Sequence, residues 1–480
     1  MNNHNLPAIS VDALFSEMPF ERTIVGNDVN AVTGITQDSR DVAAGDLFCC
    51  VRGEKSDGHK FIGDVIAKGA TSILLDGEIP SGFDDVCFIQ VDNVRECLGH
   101  VASAVFGHPS KDMTMVGITG TNGKTSSVAI VASILEANGS RVGTMGTLTG
   151  VRTTLEPIEL QATLKEMLNA GVDSVVMEVS SHALDQGRVL GIMFDVAVLT
   201  NITRDHLDYH HTEERYFAAK AKLFTPELSR VGIVNIDDTR GRLLFDVGAI
   251  PMVPYSMSDA DDIELAIDHV SFQWQGIAIT VPMGGRFTLL NTLGALTVAA
   301  RLGVSDQAMK AGCAALLPIP GRFQTLHSND GVHVVVDYAH TPDGLREVLD
   351  SVRPLTSGRV IVVFGCGGER DTGKRSMMGA IASETADVVF VTSDNPRGES
   401  PLEIISEVVA GTVAGTARVE AIVDRGVAIA SAISEAGHGD IVVIAGKGHE
   451  LTQEVAGVHI PFSDFEIAKS ALEQRKDGAP

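Results

Sequence analysis

No stretch of this chain approaches the roughly 20 consecutive apolar residues that a membrane-spanning helix needs. The opening MNNHNLPAIS also lacks the basic and apolar regions of a secretory signal. Both absences predict a cytoplasmic protein with no membrane insertion. Positive charge is scarce: 37 Lys and Arg stand against 62 Asp and Glu, a formal charge of −25. That balance argues against a nucleic-acid backbone or an anionic membrane surface as the main partner. It leaves room for an anionic small molecule, which needs only a local cluster of Arg, Lys and N–H groups. The six cysteines show no CxxC and no zinc spacing, and Cys49-Cys50 lies in an apolar run. Buried thiols in a reducing compartment fit that usage better than a disulfide framework. Internal repeats and low-complexity segments are absent too. What remains is an ordinary globular composition over 480 residues, 44% hydrophobic and 21% charged, which predicts two to four folded domains.

The chain is organised around residues 115–128, MVGITGTNGKTSSV. An apolar run over 113–118 reads as a buried strand, broken by Gly120, Asn122 and Gly123. Lys124, Thr125 and Ser126 then open a helix that stops at Gly139. Glycines let backbone N–H groups converge on an anion, and the helix N-terminus adds positive potential. Lys124 is placed to meet the distal phosphates of a nucleotide, and the Thr125 hydroxyl to meet magnesium. The spacing departs from a strict Walker A, because Ile118 stands where that pattern needs Gly. An ordinary strand–helix turn is the competing reading.

Residues 1–107 alternate short strands (DLFCCV, TSILLD, CFIQVD) with amphipathic helices and end at the turn-rich Gly107-His108-Pro109-Ser110. Within them Asp38-Ser39-Arg40 reads equally as a solvated turn or a ligand contact. Residues 108–319 carry near-continuous apolar runs, VDSVVMEVSS, FDVAVLTNI and VGIVNIDD, as strands of a covered parallel sheet should be. Ligands bind at the carboxyl ends of such strands. There lie Glu178 with Ser180, Ser181 and His182, then Thr200, Asn201, Asp205, His206 and Asp208, then Asn235, Asp237 and Asp238. Helix capping or loop solvation explains Asp237 and Asp238 better than it explains Glu178, which closes a wholly apolar run. Residues 251–290 predict antiparallel strands and a hairpin, either an insertion or a sheet extension. Residues 320–480 follow the Pro-Gly joint LLPIPGRFQ, and five strand candidates alternating with helices predict a doubly wound, Rossmann-like domain. The fold class is therefore α/β in three domains, 1–107, 108–319 and 320–480.

In the last domain the sharpest cluster is Asp394-Asn395-Pro396-Arg397. Pro396 keeps Asn395 out of helical geometry. Ser400-Pro401-Leu402-Glu403 then predicts a capping box with proline at the first helical position. Arg397 is thus presented on a stiff loop, suited to bidentate recognition of a carboxylate or simply solvated. GCGGERDTGKR reads as an anion-binding or a merely flexible loop. AGKGHE places Lys447, His449 and Glu450 after a buried strand, with Glu450 the better ligand for a cationic amine. DYAHTPD places Asp337 and His340 to meet a ribose or base, or to cap their own loop.

Taken together, DSR with GDLF, GITGTNGKTSS, the TT pair at 153 and 154, MEVSSHALDQGRV, TNITRDHLDYH, YFAAKAKLF, GRF, DYAHTPDGL, GGERDTGKR, DNPR and GKGHE occur in an order that resembles the Mur ligase family over nearly the whole chain. That resemblance implies a UDP-substrate domain, a central P-loop-like ATPase domain and a Rossmann-like amino-acid-binding domain. It implies ATP-dependent amide synthesis in cytoplasmic peptidoglycan precursor assembly, with Mg2+. The γ-phosphate would pass to the D-glutamyl carboxylate of UDP-N-acetylmuramoyl-L-alanyl-D-glutamate, and the amine of meso-diaminopimelate would attack the acyl phosphate. Gly120, Thr121, Asn122, Gly123, Lys124, Thr125 and Ser126 resemble the family's ATP loop, with Asn291, Arg322 and Asp337 as further ATP contacts. Lys124, Glu178, His206 and Lys220 resemble its catalytic set. Glu178 and His206 resemble magnesium ligands, with Thr125 beside the first ion and Lys220, as a carbamate (N6-carboxylysine), helping to hold a second; the AAK match favours Lys220 over Lys222. Ser39, Arg40, Thr153, Thr154, Ser180, Gln186 and Arg188 resemble UDP-substrate contacts. Arg370, Asp394, Asn395, Pro396, Arg397, Gly446 and Glu450 resemble a diaminopimelate pocket, and DNPR is the form expected for that amino acid, whose second carboxylate an Arg can read. Arg152, Leu155, Thr288 and Gln324 depart from residues common in the family. A monomer is expected. Competing readings are addition of L-lysine to the same dipeptide, an ATPase or kinase that does not ligate, and a non-enzymatic precursor-binding protein.

Overall fold

A computed structural model describes every residue except 1, 2, 5, 17, 27–30, 54, 55, 151 and 478–480. The outermost residues of the first and last expected domains therefore lie outside the described residues. Three α/β units follow one another, each built on a mostly parallel sheet. In the first, strands run in the order Thr23–Val25, Cys87–Gln90, Ser72–Leu75, Asp46–Cys49, Gly34–Thr36. Only the edge pair Thr23–Val25 with Cys87–Gln90 is antiparallel. The three apolar runs named from sequence are its inner strands. All six cysteines are buried and free, in keeping with their apolar contexts.

The central sheet is six-stranded and wholly parallel, ordered Met252–Tyr255, Gly232–Asn235, Val196–Leu199, Thr114–Thr119, Ser174–Glu178, Val142–Met145. Buried apolar side chains fill both faces of Thr114–Thr119, as its unbroken hydrophobic run requires. Register places Glu178 beside Ile118 and Leu199 beside Thr119, so the polar ends of three neighbouring strands emerge together. Residues 251–290 divide in two. Met252–Tyr255 extends the parallel sheet, whereas Ala260–Leu265, Val270–Trp274 and Ile277–Val281 form a separate antiparallel sheet. Its inward residues Phe272, Trp274 and Ile279 join the central core.

The C-terminal sheet runs Gln324–His327, His333–Asp337, Ile441–Ala445, Val360–Phe364, Val388–Val391, Arg418–Ala421, parallel except for the first pair. All five expected strands are present. The glycine-rich segment after Phe364 leads into helix Gly373–Thr385. The expected capping box at Ser400 does not form. Ser400 is the N-cap and Pro401 the first helical residue, but the Ser400 hydroxyl makes no cap bond. The Glu403 amide, which the box requires, instead donates to the Ser400 carbonyl at 3.1 Å, closing a tighter turn. Among the described residues no helix is long and apolar enough to cross a membrane.

Candidate active site

Two adjoining cavities open at the carboxyl ends of the central and C-terminal sheets. The first is lined by the whole loop Gly120 to Ser126, with Glu178, Lys220, Asn291, Arg322 and Asp337. The second is lined by Arg370, Asp394, Asn395, Arg397, Gly446 and Glu450. Asp205, His206, Tyr338 and His340 line both.

The loop is shaped by two glycines in left-handed or extended positive-φ geometry, Gly120 at +150° and Gly123 at +84°. A Cβ at Gly123 would lie 2.4 Å from Asn291 Oδ1, so the glycine is also needed for close packing. The expected convergence of loop amides is partial. The Thr121 and Asn122 amides donate to the backbone and side-chain oxygens of Asn201, at 2.8 and 2.9 Å. The anion site therefore centres on the amides opening helix Lys124–Ala137. Lys124 Nζ donates to the Gly120 and Thr121 carbonyls at 3.0 and 2.8 Å. Burial lowers its pKa, against the pull of Glu178 and Asp205.

Glu178 ends its strand 1% exposed. Its Oε1 accepts from Thr125 Oγ1 and from the Thr147 amide, each at 2.9 Å, and Oε2 accepts from Thr147 Oγ1 at 3.1 Å. Arg322 Nη2 in turn donates to Thr125 Oγ1 at 3.1 Å, and the guanidinium carbon lies 4.5 Å over the Tyr338 ring. His206 has φ +53° and its amide bonds its neighbour Asp205. Burial pushes the His206 imidazole down to about 4, so it is neutral at pH 7. Asp337 lines the first cavity, but its oxygens accept the Phe323 and Ala339 amides at 2.7 and 2.8 Å, the loop-capping arrangement.

Lys220 and Lys222 separate cleanly. Lys220 is 2% exposed on helix Glu213–Ala221, lies 4.6 Å over the Tyr216 ring, and donates to the Gly120 carbonyl at 2.8 Å. Burial, reinforced by nearby Lys124, holds its pKa well below the usual ammonium range. Lys222 is half-exposed and pairs with Asp185 at 3.1 Å. Asp238 caps helix Thr239–Val247 through the Gly241 amide, as the capping reading expected, whereas Asp237 accepts the amide of the distant Met257 and caps no helix of its own.

Thr153, Thr154, Ser180, Gln186 and Arg188 form one network against Glu178. Thr154 Oγ1 donates to the Glu178 carbonyl and accepts the Ser180 amide, both at 3.0 Å. Thr153 and Thr147 hydroxyls meet at 3.1 Å. Arg188 donates to Gln186 Oε1 and the Thr154 carbonyl and pairs with Glu156 at 3.0 Å. Ser39 and Arg40 stand apart and line neither cavity. Arg40 is exposed and pairs with Asp38, holding that carboxyl down at about 2, which is the solvated-turn arrangement.

In the second cavity Asn395 is the hub. Its Nδ2 donates to Glu450 Oε2 at 2.9 Å, while Oδ1 accepts from Lys447 Nζ at 2.8 Å and the Glu454 amide at 3.0 Å. Glu450 is thus not a free carboxylate: the fully buried Lys447 ammonium already bonds it at 2.6 Å. Arg397, at φ +52°, donates from Nη1 to the Gly368 carbonyl at 2.6 Å and pairs through Nε with Glu454 at 3.1 Å. Pro396 lies close against Gly368, where a Cβ would come 2.1 Å from the Pro396 carbonyl oxygen. Gly446, at φ +117°, leaves room for Asp394 Oδ2. Arg370 is exposed at the rim. Thr147, Tyr338, Arg204 and Asp371 were not singled out from sequence. Arg204, Asp371 and Tyr338 lie inside quoted motifs, but nothing in residue type separates them from their neighbours.

Comparison with known proteins matches three consecutive segments. The Mur ligase family catalytic domain covers residues 31–106, the Mur ligase middle domain 118–299, and the Mur ligase glutamate ligase domain 321–448. The UDP-N-acetylmuramoyl-L-alanyl-D-glutamate–2,6-diaminopimelate ligase of Xylella fastidiosa is 43% identical over 484 residues, spanning 96% of each chain. The chain belongs to the Mur ligase family. A solved structure of a UDP-N-acetylmuramoyl-L-alanyl-D-glutamate–2,6-diaminopimelate ligase superposes with TM-score 0.70 at 32% identity, covering 98% of this chain and 100% of that one. A MurF ligase from Thermotoga maritima, solved with ADP, shares the fold at TM-score 0.63 and 21% identity, covering 92% and 98% of the two chains. Like other Mur ligases, the chain is an ATP-dependent ligase, and the two cavities sit where its middle and C-terminal Mur ligase segments meet.

Proposed function

We propose that this Mur ligase joins meso-diaminopimelate to UDP-N-acetylmuramoyl-L-alanyl-D-glutamate through an acyl phosphate, in peptidoglycan precursor synthesis. One observation carries the reading. A cavity built on the phosphate loop and a cavity built on Asp394 to Arg397 share a wall of four side chains. A carboxylate activated in the first would thereby meet an amine held in the second. Phosphorylation supplies the leaving group that a bare carboxylate lacks, and holding both reactants converts the encounter to a unimolecular one. Lys124 and the helix N-terminus stabilise the phosphoryl oxygens. Arg397 lines the amino-acid cavity with a guanidinium whose fork suits the second carboxylate of diaminopimelate. The Lys447–Asn395–Glu450 cluster offers oxygen acceptors for its ammonium end, with Glu450 already partly neutralised.

The donor set fits Mg2+. Thr125 Oγ1 and Glu178 Oε1 lie 2.9 Å apart in the first cavity, and magnesium takes few protein oxygens alongside phosphates and waters. Thr125, Glu178, neutral His206 and carbamylated Lys220 would hold the magnesium, Thr125 beside a first ion and Lys220 helping to hold a second. Bound there, the metal supplies charge neutralisation at the phosphates. Lys220 suits carbamylation because burial disfavours its charged form and so favours the nucleophilic amine.

We assign residues 1–107 to UDP-substrate binding, 108–319 to ATP binding and 320–480 to amino-acid binding. The Thr153 to Arg188 network serves the UDP substrate, with Ser39 and Arg40 as contacts that would have to be made outside both cavities. We take the enzyme to act as a monomer in the cytoplasm, the compartment that its nucleotide substrates point to. The test is phosphate release from ATP with the dipeptide substrate and meso-diaminopimelate, L-lysine, L-ornithine or no amino acid, with products weighed by mass spectrometry. Tripeptide product and phosphate release only with diaminopimelate is the expected outcome. Product with lysine overturns the Arg397 assignment, and turnover independent of any acceptor overturns ligation.

A further inference from the structure

Residues 200–206 leave the central sheet and line both cavities through Asp205 and His206. Arg204, just before them, borders the second cavity and reaches across to the C-terminal unit. Its Nε and Nη2 each donate to Asp371 Oδ2 at 3.2 Å, and Nη2 approaches Oδ1 at 3.4 Å. Asp371 follows Arg370 and its Oδ1 also accepts the Gly373 amide at 2.9 Å, which fixes the carboxylate at the start of helix Gly373–Thr385. A Cβ at Gly373 would come 3.1 Å from Arg204 Nη2, so glycine there admits the guanidinium. One residue further, Lys374 Nζ donates to the His340 carbonyl at 2.8 Å, tying the same helix start to a residue that lines both cavities. Among the described residues, Arg204–Asp371 is the ion pair that crosses from residues before the 320 joint to residues after it.

The side chains are 36% and 21% exposed. A pair that open to water adds little stability, so its use is orientation. Transfer from phosphate to amine demands near-attack distances that a shift of about 1 Å degrades roughly a hundredfold.

We propose that Arg204 and Asp371 are a positioning pair that locks the loop bearing Asp205 and His206 to the loop bearing Arg370, setting the amine of the incoming amino acid against the activated carboxylate. The identity of the two reactants rests on the proposed function; the lock itself does not. Arg204→Gln and Asp371→Asn should each lower kcat/KM for the amino acid on the order of tenfold. KM for ATP and the melting temperature should stay near wild type. The double neutral variant should be no worse than either single, and the charge exchange Arg204→Asp with Asp371→Arg should recover much of the loss. A general structural defect would instead move all parameters together and give additive singles.

Hydrogen exchange on the full chain without substrates separates the two readings. Arg204→Gln should speed exchange in 366–372, and Asp371→Asn in 201–206, with protection restored by the charge exchange. Unchanged exchange in the opposite loop, or additive kinetics, overturns the pair. Coupled exchange in a wild type that ligates none of the amino acids would leave the pair standing and overturn the proposed function.

Discussion

Lys220 and Lys222 are two positions apart and identical in type, yet only Lys220 enters the phosphate cavity. The difference is helical geometry: Lys220 shares a face with Tyr216, four residues earlier, and Lys222 does not. Lys220→Ala should abolish ligation without rescue by bicarbonate, whereas Lys222→Ala should retain it; phosphate release in both variants checks this. A second residue has a pH signature. Burial, then Asp337 and Asp343, raise the Glu347 carboxyl from 4.5 to about 7. Between those values the native state keeps a proton that the unfolded chain has released, so stability falls as pH rises through the window. Glu347→Gln removes the titration. Its melting temperature relative to wild type should climb from pH 4.5 to 7 and then level off. A relative gain that shrinks with rising pH contradicts the assignment, and calorimetry across that range decides it.

At the scale of elements, the phosphate loop is held by an interplay of turn, neighbour strand and following helix. Asn201, from the adjacent strand end, clamps two loop amides. Asn291, from helix Arg286–Arg301, fills the space over Gly123. Gly123→Ala therefore combines an unfavourable φ with a collision against Asn291. Strain of this kind costs roughly 1–3 kcal/mol. Nucleotide affinity by titration calorimetry should fall about tenfold or more, with far-UV circular dichroism unchanged. Retained affinity would show that the loop tolerates a side chain there. The capping box at Ser400 shows the opposite limit of element reasoning. The residue pattern was right, and a local i to i+3 turn used the amide it needed.

For the whole molecule, one apolar cluster runs from Val116 and Leu293 of the central unit to Leu349 and Val443 of the C-terminal unit. The first unit has clusters of its own, although one of them borrows Ile158 and Ala162 from the central helix Pro157–Asn169. The central and C-terminal units should consequently melt together. Leu293→Ala, at a fully buried position, should cost about 2–5 kcal/mol and lower one shared transition. Two calorimetric transitions, with only one displaced, would show that the cluster does not couple them.

Periodicity, glycine placement and motif order determine most of the architecture. Apolar runs bounded by polar ends became parallel strands, because only a strand covered on both faces buries every side chain. The same runs located Glu178, His206, Asp337 and Asp394 at strand ends, where open sheets bind ligands. Pairing partners are another matter. That Lys447 neutralises Glu450, that Asp337 spends both oxygens on backbone amides, and that Ser39 and Arg40 lie away from both cavities depend on which segments fold against one another. The division of residues 251–290 between two sheets is of the same kind, since its strand patterns were legible but their partners were not. Local sequence sets which residues form strands, helices and turns; contacts between residues far apart in the chain arise only when those elements pack.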